Sequence, residues 1–419
     1  MSEILPYKII NIRLDESLRM PQFELTNGGN YVLFWWKQIG LGHIYLEPNE
    51  TISEVTYYDK LIKAITPAID FYSKDVDVFH EEWKDWLVKD DMQKWSVWLE
   101  IILGKWTNKQ VPQKVPISVV ICTRDRAGQL RDCLRMLNQL ASVASEIVVV
   151  DNAPNNDDTK NVTAEFEGVK YVREPRPGLD IARNTGIINT TFPIVAYVDD
   201  DVLVQSWWLF HVWQTFEDPT IGAMTGLVIA SKLDTEAQQI FEKHWSFNRG
   251  YADKIYDSKF FKSTLAKGPP VWEIGAGANM AFRRSIFEET GLFNEYLDAG
   301  AAGCSGDSEM WFRVLARGHS IYYNPRAIVH HEHRKEMEGL KKQIFYYMRG
   351  FMVAALTQQQ FYPESGYRKS KIRNLPRDYI RAIMRGFPKY GFQYKTIIPE
   401  IKGIISGYRF YQKHKEHIL

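Results

Sequence analysis

From residue 116 onward, short apolar runs alternate with stretches of helical spacing, and this alternation constrains the fold more than any other feature of the 419 residues. Ile117 to Ile121, Ile147 to Val150 and Ile194 to Val198 are such runs, each of a length that suits a buried strand. Between the first two, Leu130, Cys133, Leu134, Leu137 and Leu140 recur at helical spacing. Strands alternating with helices predict an α/β domain with a largely parallel sheet. Ligands of open α/β sheets bind beyond the carboxyl ends of the strands. The polar residues that end each run are therefore the candidates for function. They are Thr123, Arg124, Asp125 and Arg126 after the first run, Asp151 after the second, and Asp199, Asp200 and Asp201 after the third.

Three adjacent carboxylates repel one another unless a cation or a ligand offsets the repulsion. Strand alternation sends Asp199 and Asp201 to one side. Two carboxylates converging there can hold a hard divalent cation that keeps positions for water and phosphates. The competing reading is an acidic surface turn. Further candidates lie along the chain, each with its plainer alternative. Asp125 is placed to cap the next helix. Arg183, in the stretch Arg176 to Gly186, is a partner for a diphosphate or a carboxylate, or a surface salt bridge. Trp272 to Asn279 is a glycine-alternating loop that permits close backbone approach, or a tight bend. Asp307 opens a helix where negative charge is favoured; it can be a cap, a base, or both. His330, His331 and His333 end a strand, and histidine is a common metal ligand.

Residues 1–112 read as an accessory module. Its strand Tyr31 to Trp36 is aromatic-rich, and Trp83, Trp86, Trp95 and Trp98 fall mostly at helical spacing. That stripe is either a sugar-stacking surface or core packing, with packing the commoner case. Asn108 to Pro116 reads as a linker. In the last 57 residues, 363–419, there are 13 Lys plus Arg against 4 Asp plus Glu, a net +9, while the whole chain is +1. The remainder is therefore −8. Apolar residues interleaved with that charge, among them Tyr379, Ile380, Ile383, Met384 and Tyr390, predict basic amphipathic helices. Such helices lie on anionic membranes or pack on the α/β domain with a solvated basic face.

The net charge of +1 gives no footprint of nucleic-acid binding. Three cysteines, Cys122, Cys133 and Cys304, are an odd and sparse set that points to a reducing compartment. The first residues show no secretory pattern, and no stretch approaches the ~20 apolar residues of a spanning helix. The expectation is a cytoplasmic protein, peripheral on the inner face of the membrane.

The order VVICTRDR, IVVVDN, PGLDIARNTGI, VAYVDDDV, GAGANMAFRRSIF, GLFNE, GDSEMWFR and AIVHHEH resembles glycosyltransferase family 2 over roughly residues 116–335. The resemblance implies a GT-A fold, a Rossmann-like mixed and mainly parallel sheet. It also implies a nucleotide-sugar donor, inversion at the anomeric carbon, and a divalent cofactor, Mn2+ or Mg2+. By the same resemblance, Asp307 is the catalytic base. Thr123, Arg126, Asp151, Arg183, Asp199 and Asp200 bind the donor, and Asp201 and His331 hold the metal. Gly277, Asn279 and Glu309 lie on the sugar and acceptor side. The sequence departs from the family at Gly306, where a glutamate is frequent, and the doublet His330-His331 leaves the ligand ambiguous by one position. The expected organisation is 1–112 accessory, 113–335 catalytic and 336–419 helical and basic. The expected activity is transfer from a nucleotide sugar, UDP-linked by the family's implication, to a hydroxyl of a glycan or lipid-linked acceptor in cell-surface polysaccharide or glycoconjugate assembly. A sugar nucleotidyltransferase and a catalytically inactive nucleotide-sugar-binding module are the alternatives.

Overall fold

A computed structural model of the chain describes residues 5–76, 81–107, 110–387 and 391–418, without the side chains of 392 and 393. Asn108 and Lys109 of the expected linker and Tyr390 of the tail lie outside the described residues. The chain opens with three strands, β1 (Tyr7–Arg13), β2 (Gly29–Trp36) and β3 (Ile39–Leu46). β2 pairs in parallel with β1 and antiparallel with β3. Every residue of β2 is buried. The helices Glu54–Ser73, Trp83–Val88 and Met92–Thr107 come next. Trp83, Trp86, Trp95 and Trp98 are buried in the core that these elements form, so the tryptophan stripe is packing. Trp95 Nε1 donates to the carbonyl of Leu14 at 2.9 Å, which satisfies its one polar atom. The same core takes in Leu227, Tyr251, Tyr323 and Ile328 from later in the chain. The first hundred residues are thus packed onto the rest through shared apolar contact.

The second sheet has nine strands among the described residues. They are β4 (Lys114–Thr123), β5 (Val143–Asn152), β6 (Val169–Glu174), β7 (Ile194–Val198), β8 (Val202–Val204), β9 (Ile221–Ala230), β10 (Lys254–Tyr256), β11 (Asn279–Arg283) and β12 (Ser320–His331). The order is β10-β12-β9-β11-β7-β4-β5-β6, with β8 paired to β12. β4 to β7, β9 and β12 run in one direction, and β8, β10 and β11 oppose them. This is the mainly parallel α/β sheet that the alternation predicts, and its three opposing strands make it mixed, as the family resemblance implies. β4 starts at Lys114, so the end of the expected linker is strand, with an irregularity between Val115 and Ser118. Alternation along β4 sends Val115, Ile117, Val119 and Ile121 to one face and Val120 to the other. Both faces are covered, as a parallel sheet requires.

After β12 the chain is helical. The helix Met337–Phe361 is lined by the helix Ile397–His414. Met352, Val353, Tyr411 and Ile418 share a core with Leu297 and Ala302. The tail is therefore docked on the α/β region. Among the described residues, no helix is long and apolar enough to cross a membrane.

Candidate active site

Strand register brings the polar strand ends together. Thr123 lies opposite Asp151 in the β4–β5 ladder. Val120 lies opposite Tyr197 in the β4–β7 ladder, so Thr123, three residues further on, comes level with Asp200. The Thr123 hydroxyl donates to Asp200 Oδ2 at 2.6 Å. Asn279 pairs with Val198, which sets Gly277 beside the end of β7. His331 pairs with Val202, which sets it beside Asp201. A cleft of about 1050 Å³ opens here. Its walls include Thr123, Arg126, Asp199, Asp200, Asp201 and Arg183, together with Gly277, Asp307 and His331. Among the described residues, none before Cys122 lines it.

Arg126 offsets the repulsion within the acidic triplet. Its Nη1 donates to Asp200 Oδ1 at 3.0 Å and to Asp201 Oδ2 at 2.9 Å. Asp200 is buried, and burial pushes its carboxyl up against the hydrogen bond from Thr123 and the charge of Arg126. Asp199 has no such pairing. Burial pushes it up to about 7, the charge of Arg183 pulls it back, and Asp201, Asp200 and Asp298 add to the rise. Asp125, expected as a helix cap, instead accepts from the backbone and side chain of Asn155, at 3.0 and 2.5 Å. It ties the loop after β4 to the loop after β5, and the next helix has no side-chain cap.

Asp307 lies in the first turn of the helix Gly306–Ala316. The backbone N–H of Ser308 donates to its Oδ1 at 2.6 Å. Burial and the charge of Asp298 raise its carboxyl, against Arg183 and the N–H groups of Ser308 and Gly277. Arg183 is 5% exposed, and its Nη1 donates to Asp180 at 2.8 Å and also to Asp298. Burial opposes its charge, but Asp298, Asp180, Asp199 and Asp307 together hold its pKa well above the ordinary value. One guanidinium thus faces several carboxylates. Asp180 is 1% exposed and is raised by burial and by Asp298, and its Oδ2 lacks a hydrogen-bond partner among the described residues.

Two glycines make this crowding possible. A Cβ on Gly277 would come within 2.9 Å of Arg183 Nη2 and 3.2 Å of Asp307 Oδ2. A Cβ on Gly306 would collide with the Asp180 carboxylate. The departure at Gly306 therefore has a spatial counterpart: a carboxylate from another helix occupies the room a side chain there would need.

Of the doublet, His331 lines the cleft and His330 is not among its walls. Burial and then His333 push His331 down to about 4, so it is neutral at pH 7, and its Nδ1 has no hydrogen-bond partner among the described residues. His333 is committed to Glu242, 2.8 Å away. A divalent cation would find Asp201 and neutral His331, two protein donors. A hard cation can complete its shell with water and ligand phosphates, so the residues fit, although the Arg126–Asp201 contact would have to yield. Among the described residues, no three His, Cys, Asp or Glu are grouped as a metal cage.

Three expected site residues stand apart from the cleft walls. Asp151 is fully buried and accepts from the Tyr171 hydroxyl at 2.8 Å. Asn279 is a structural cross-link. Its Oδ1 accepts from Trp208 at 2.9 Å, and its Nδ2 donates to the carbonyls of Ala327 and Leu227 at 2.9 and 3.2 Å. Glu309 is buried and closed off by Arg313, with three contacts of 2.8 to 3.1 Å. Conversely, Asn152, Asp298 and Arg249 line the cleft although the sequence pattern does not mark them as site residues. Asn152 pins the turn before the Leu179–Ile188 helix, donating to the Arg176 carbonyl at 2.7 Å and accepting from Gly178 N at 3.0 Å.

A cleft with buried carboxylates at the carboxyl ends of a mainly parallel sheet lies where open α/β sheets bind their ligands. Residues 118–291 match the family model for Glycosyl transferase family 2, and over this segment the chain is similar to that family. The match ends before Asp307 and His331. The chain is similar to the pre-mycofactocin glycosyltransferase of Mycobacterium tuberculosis, 25% identical over 241 residues, or 56% of this chain and 47% of that one. It thus spans about half the length of that relative. It is also similar to the succinoglycan biosynthesis protein ExoM of Rhizobium meliloti, 28% identical over 55% of this chain and 72% of that protein. Among solved structures, a mannosyltransferase from Pyrobaculum calidifontis in complex with GDP-Man and Mn2+ superposes with a TM-score of 0.40 and 17% identity, covering 77% of this chain and 83% of that one.

Proposed function

We propose that the protein transfers a sugar, with inversion, from a UDP-linked donor to a hydroxyl of a glycan or lipid-linked acceptor in cell-surface polysaccharide or glycoconjugate assembly. The observation that carries this reading is the meeting of Asp199 to Asp201 with Asp307 in one cleft that adjoins the family segment. Asp307 takes the proton of the acceptor hydroxyl as its oxygen attacks the anomeric carbon. The bond from that carbon to the diphosphate breaks, and a single displacement inverts the centre. A raised carboxyl is the stronger base, and the burial of Asp307 beside Asp298 works in that direction. Arg183 shares one nitrogen between Asp180 and Asp298, so we assign it to positioning the acidic cluster rather than to the diphosphate. Thr123 and Arg126 hold the acidic turn in place at the donor side. Asp201 and His331 would hold a divalent cation, whose charge stabilises the departing diphosphate.

The test is incubation of the protein with nucleotide sugars and Mn2+, reading thermal shift and the products released. Release of nucleoside diphosphate, by transfer or by slow hydrolysis, supports the reading. Release of pyrophosphate would identify a nucleotidyltransferase instead, and binding without turnover across donors and acceptors would favour an inactive module.

A further inference from the structure

The helix Leu375–Gly386 uses only part of its apolar side within the molecule. At about 3.6 residues per turn, Leu375, Tyr379, Ala382 and Gly386 form one line, half-buried or buried. Beside it, Ile380, Ile383 and Met384 form a second apolar line that is 58%, 40% and 71% exposed. Arg377, Arg381 and Arg385 recur every fourth residue along the far border, all exposed. An amphipathic helix of a globular domain turns its apolar stripe to the core. Here half the stripe faces outward with a row of arginines at its edge.

We propose that this helix lies in the interface of an anionic lipid bilayer, with Ile380, Ile383 and Met384 at the headgroup–acyl boundary and Arg377, Arg381 and Arg385 on headgroup phosphates. Charge complementarity favours that occupant. Residues 363–419 carry +9 and the remainder −8, so attraction to an anionic surface is confined to this end of the chain. Basic residues flanking an exposed apolar stripe are the pattern of a helix that lies in the membrane plane.

The helix also fixes where the cleft opens. Leu375, Arg377 and Asp378, in its first turn, line the cleft. Lys371 just before it lies over the Trp272 ring, 5.2 Å from the centroid, and both line the same wall. A helix seated on the bilayer sets this wall at the membrane surface. An acceptor carried on a lipid would then approach from the bilayer. That consequence rests on the transfer reading above, whereas membrane binding requires no substrate, so the two can fail separately.

The experiment is flotation of the full chain with vesicles of phosphatidylcholine alone and of equal parts phosphatidylcholine and phosphatidylglycerol. The protein should bind the anionic vesicles at low salt and release as salt screens the arginines. Arg381→Gln/Arg385→Gln should weaken that binding about 30-fold, each arginine contributing roughly a fivefold change. Ile380→Asp/Met384→Asp should abolish it at any salt. Both pairs are exposed and lie outside the cleft walls, so each variant should keep the wild-type melting temperature and nucleotide response. Absence of binding to anionic vesicles at low salt overturns the proposal. So does binding that neither pair alters. A lipid-free oligomer that Ile380→Asp/Met384→Asp converts to monomer would also overturn it, by showing that the face meets a second copy.

Discussion

Two buried arginines in this molecule have opposite surroundings. Arg326, on β12, is 1% exposed and forms a forked pair with Asp253, at 2.6 and 2.5 Å. It also donates to the Tyr72 hydroxyl at 3.0 Å, and its guanidinium lies 3.9 Å from the Trp106 ring centroid. One cation meets one anion there, and Tyr72 and Trp106 bring the first hundred residues onto the sheet. Arg183 instead faces Asp180 and Asp298 directly, with Asp199 and Asp307 close enough to raise it further. A balanced pair closed to solvent fixes structure. A surplus of carboxylates around one cation, opening on a cleft, costs stability and leaves groups able to take a proton or meet a ligand.

If that contrast is right, substitutions in the two clusters should separate stability from chemistry. The largest expected effect is on chemistry. Asp307→Asn keeps the shape and removes the basic oxygen, so the transfer rate should fall about 10²–10⁴-fold while donor affinity and melting temperature hold. Near-normal turnover would remove Asp307 from the mechanism, and joint loss of folding and donor affinity would make it a structural cap. Next is Arg326→Met, which leaves Asp253 buried without its cation. Urea unfolding should show a loss of about 3–5 kcal/mol, with turnover per folded molecule retained. Unchanged stability would erase the distinction from the other side.

The smallest effect is a slope. Asp180 is raised in the folded state, chiefly by burial, so it holds a proton that the unfolded chain gives up at its ordinary value. Its contribution to stability is complete below about pH 4, the unfolded value, and is lost as pH rises through the raised folded value. Asp180→Asn should therefore flatten the fall in melting temperature with rising pH above the ordinary carboxylate range. An identical slope in the variant would show that the surplus charge is relieved in another way.

The sheet was legible because its strands are uninterrupted apolar runs with polar ends. Thr123, Asp199 to Asp201 and their neighbours stand out because each sits at the carboxyl end of such a run. The strand direction of β11 was not legible, because Asn279–Arg283 pairs antiparallel through contacts distant in sequence. Asp298 was missed since it sits in a non-periodic loop at φ 54°, where spacing carries no signal. Glu309 was over-read. It stands four residues before Arg313 on one helix face, the spacing of an intrahelical ion pair, and that pair is what forms. Gly306 looked like a lost carboxylate because the sequence cannot show Asp180 filling the space from another helix. Asn279 carries a residue type common in sites, but its amide is consumed by three partners inside the sheet.

The account depends most on the cleft binding a nucleoside diphosphate with a cation between Asp201 and His331. Titration calorimetry of UDP, with and without Mn2+, on the wild-type protein and on Asp201→Ala measures this directly. The account predicts binding that Mn2+ strengthens in the wild type, and an Asp201→Ala variant of normal melting temperature in which Mn2+ no longer helps. Equal Mn2+-dependent affinity in the two proteins would contradict it.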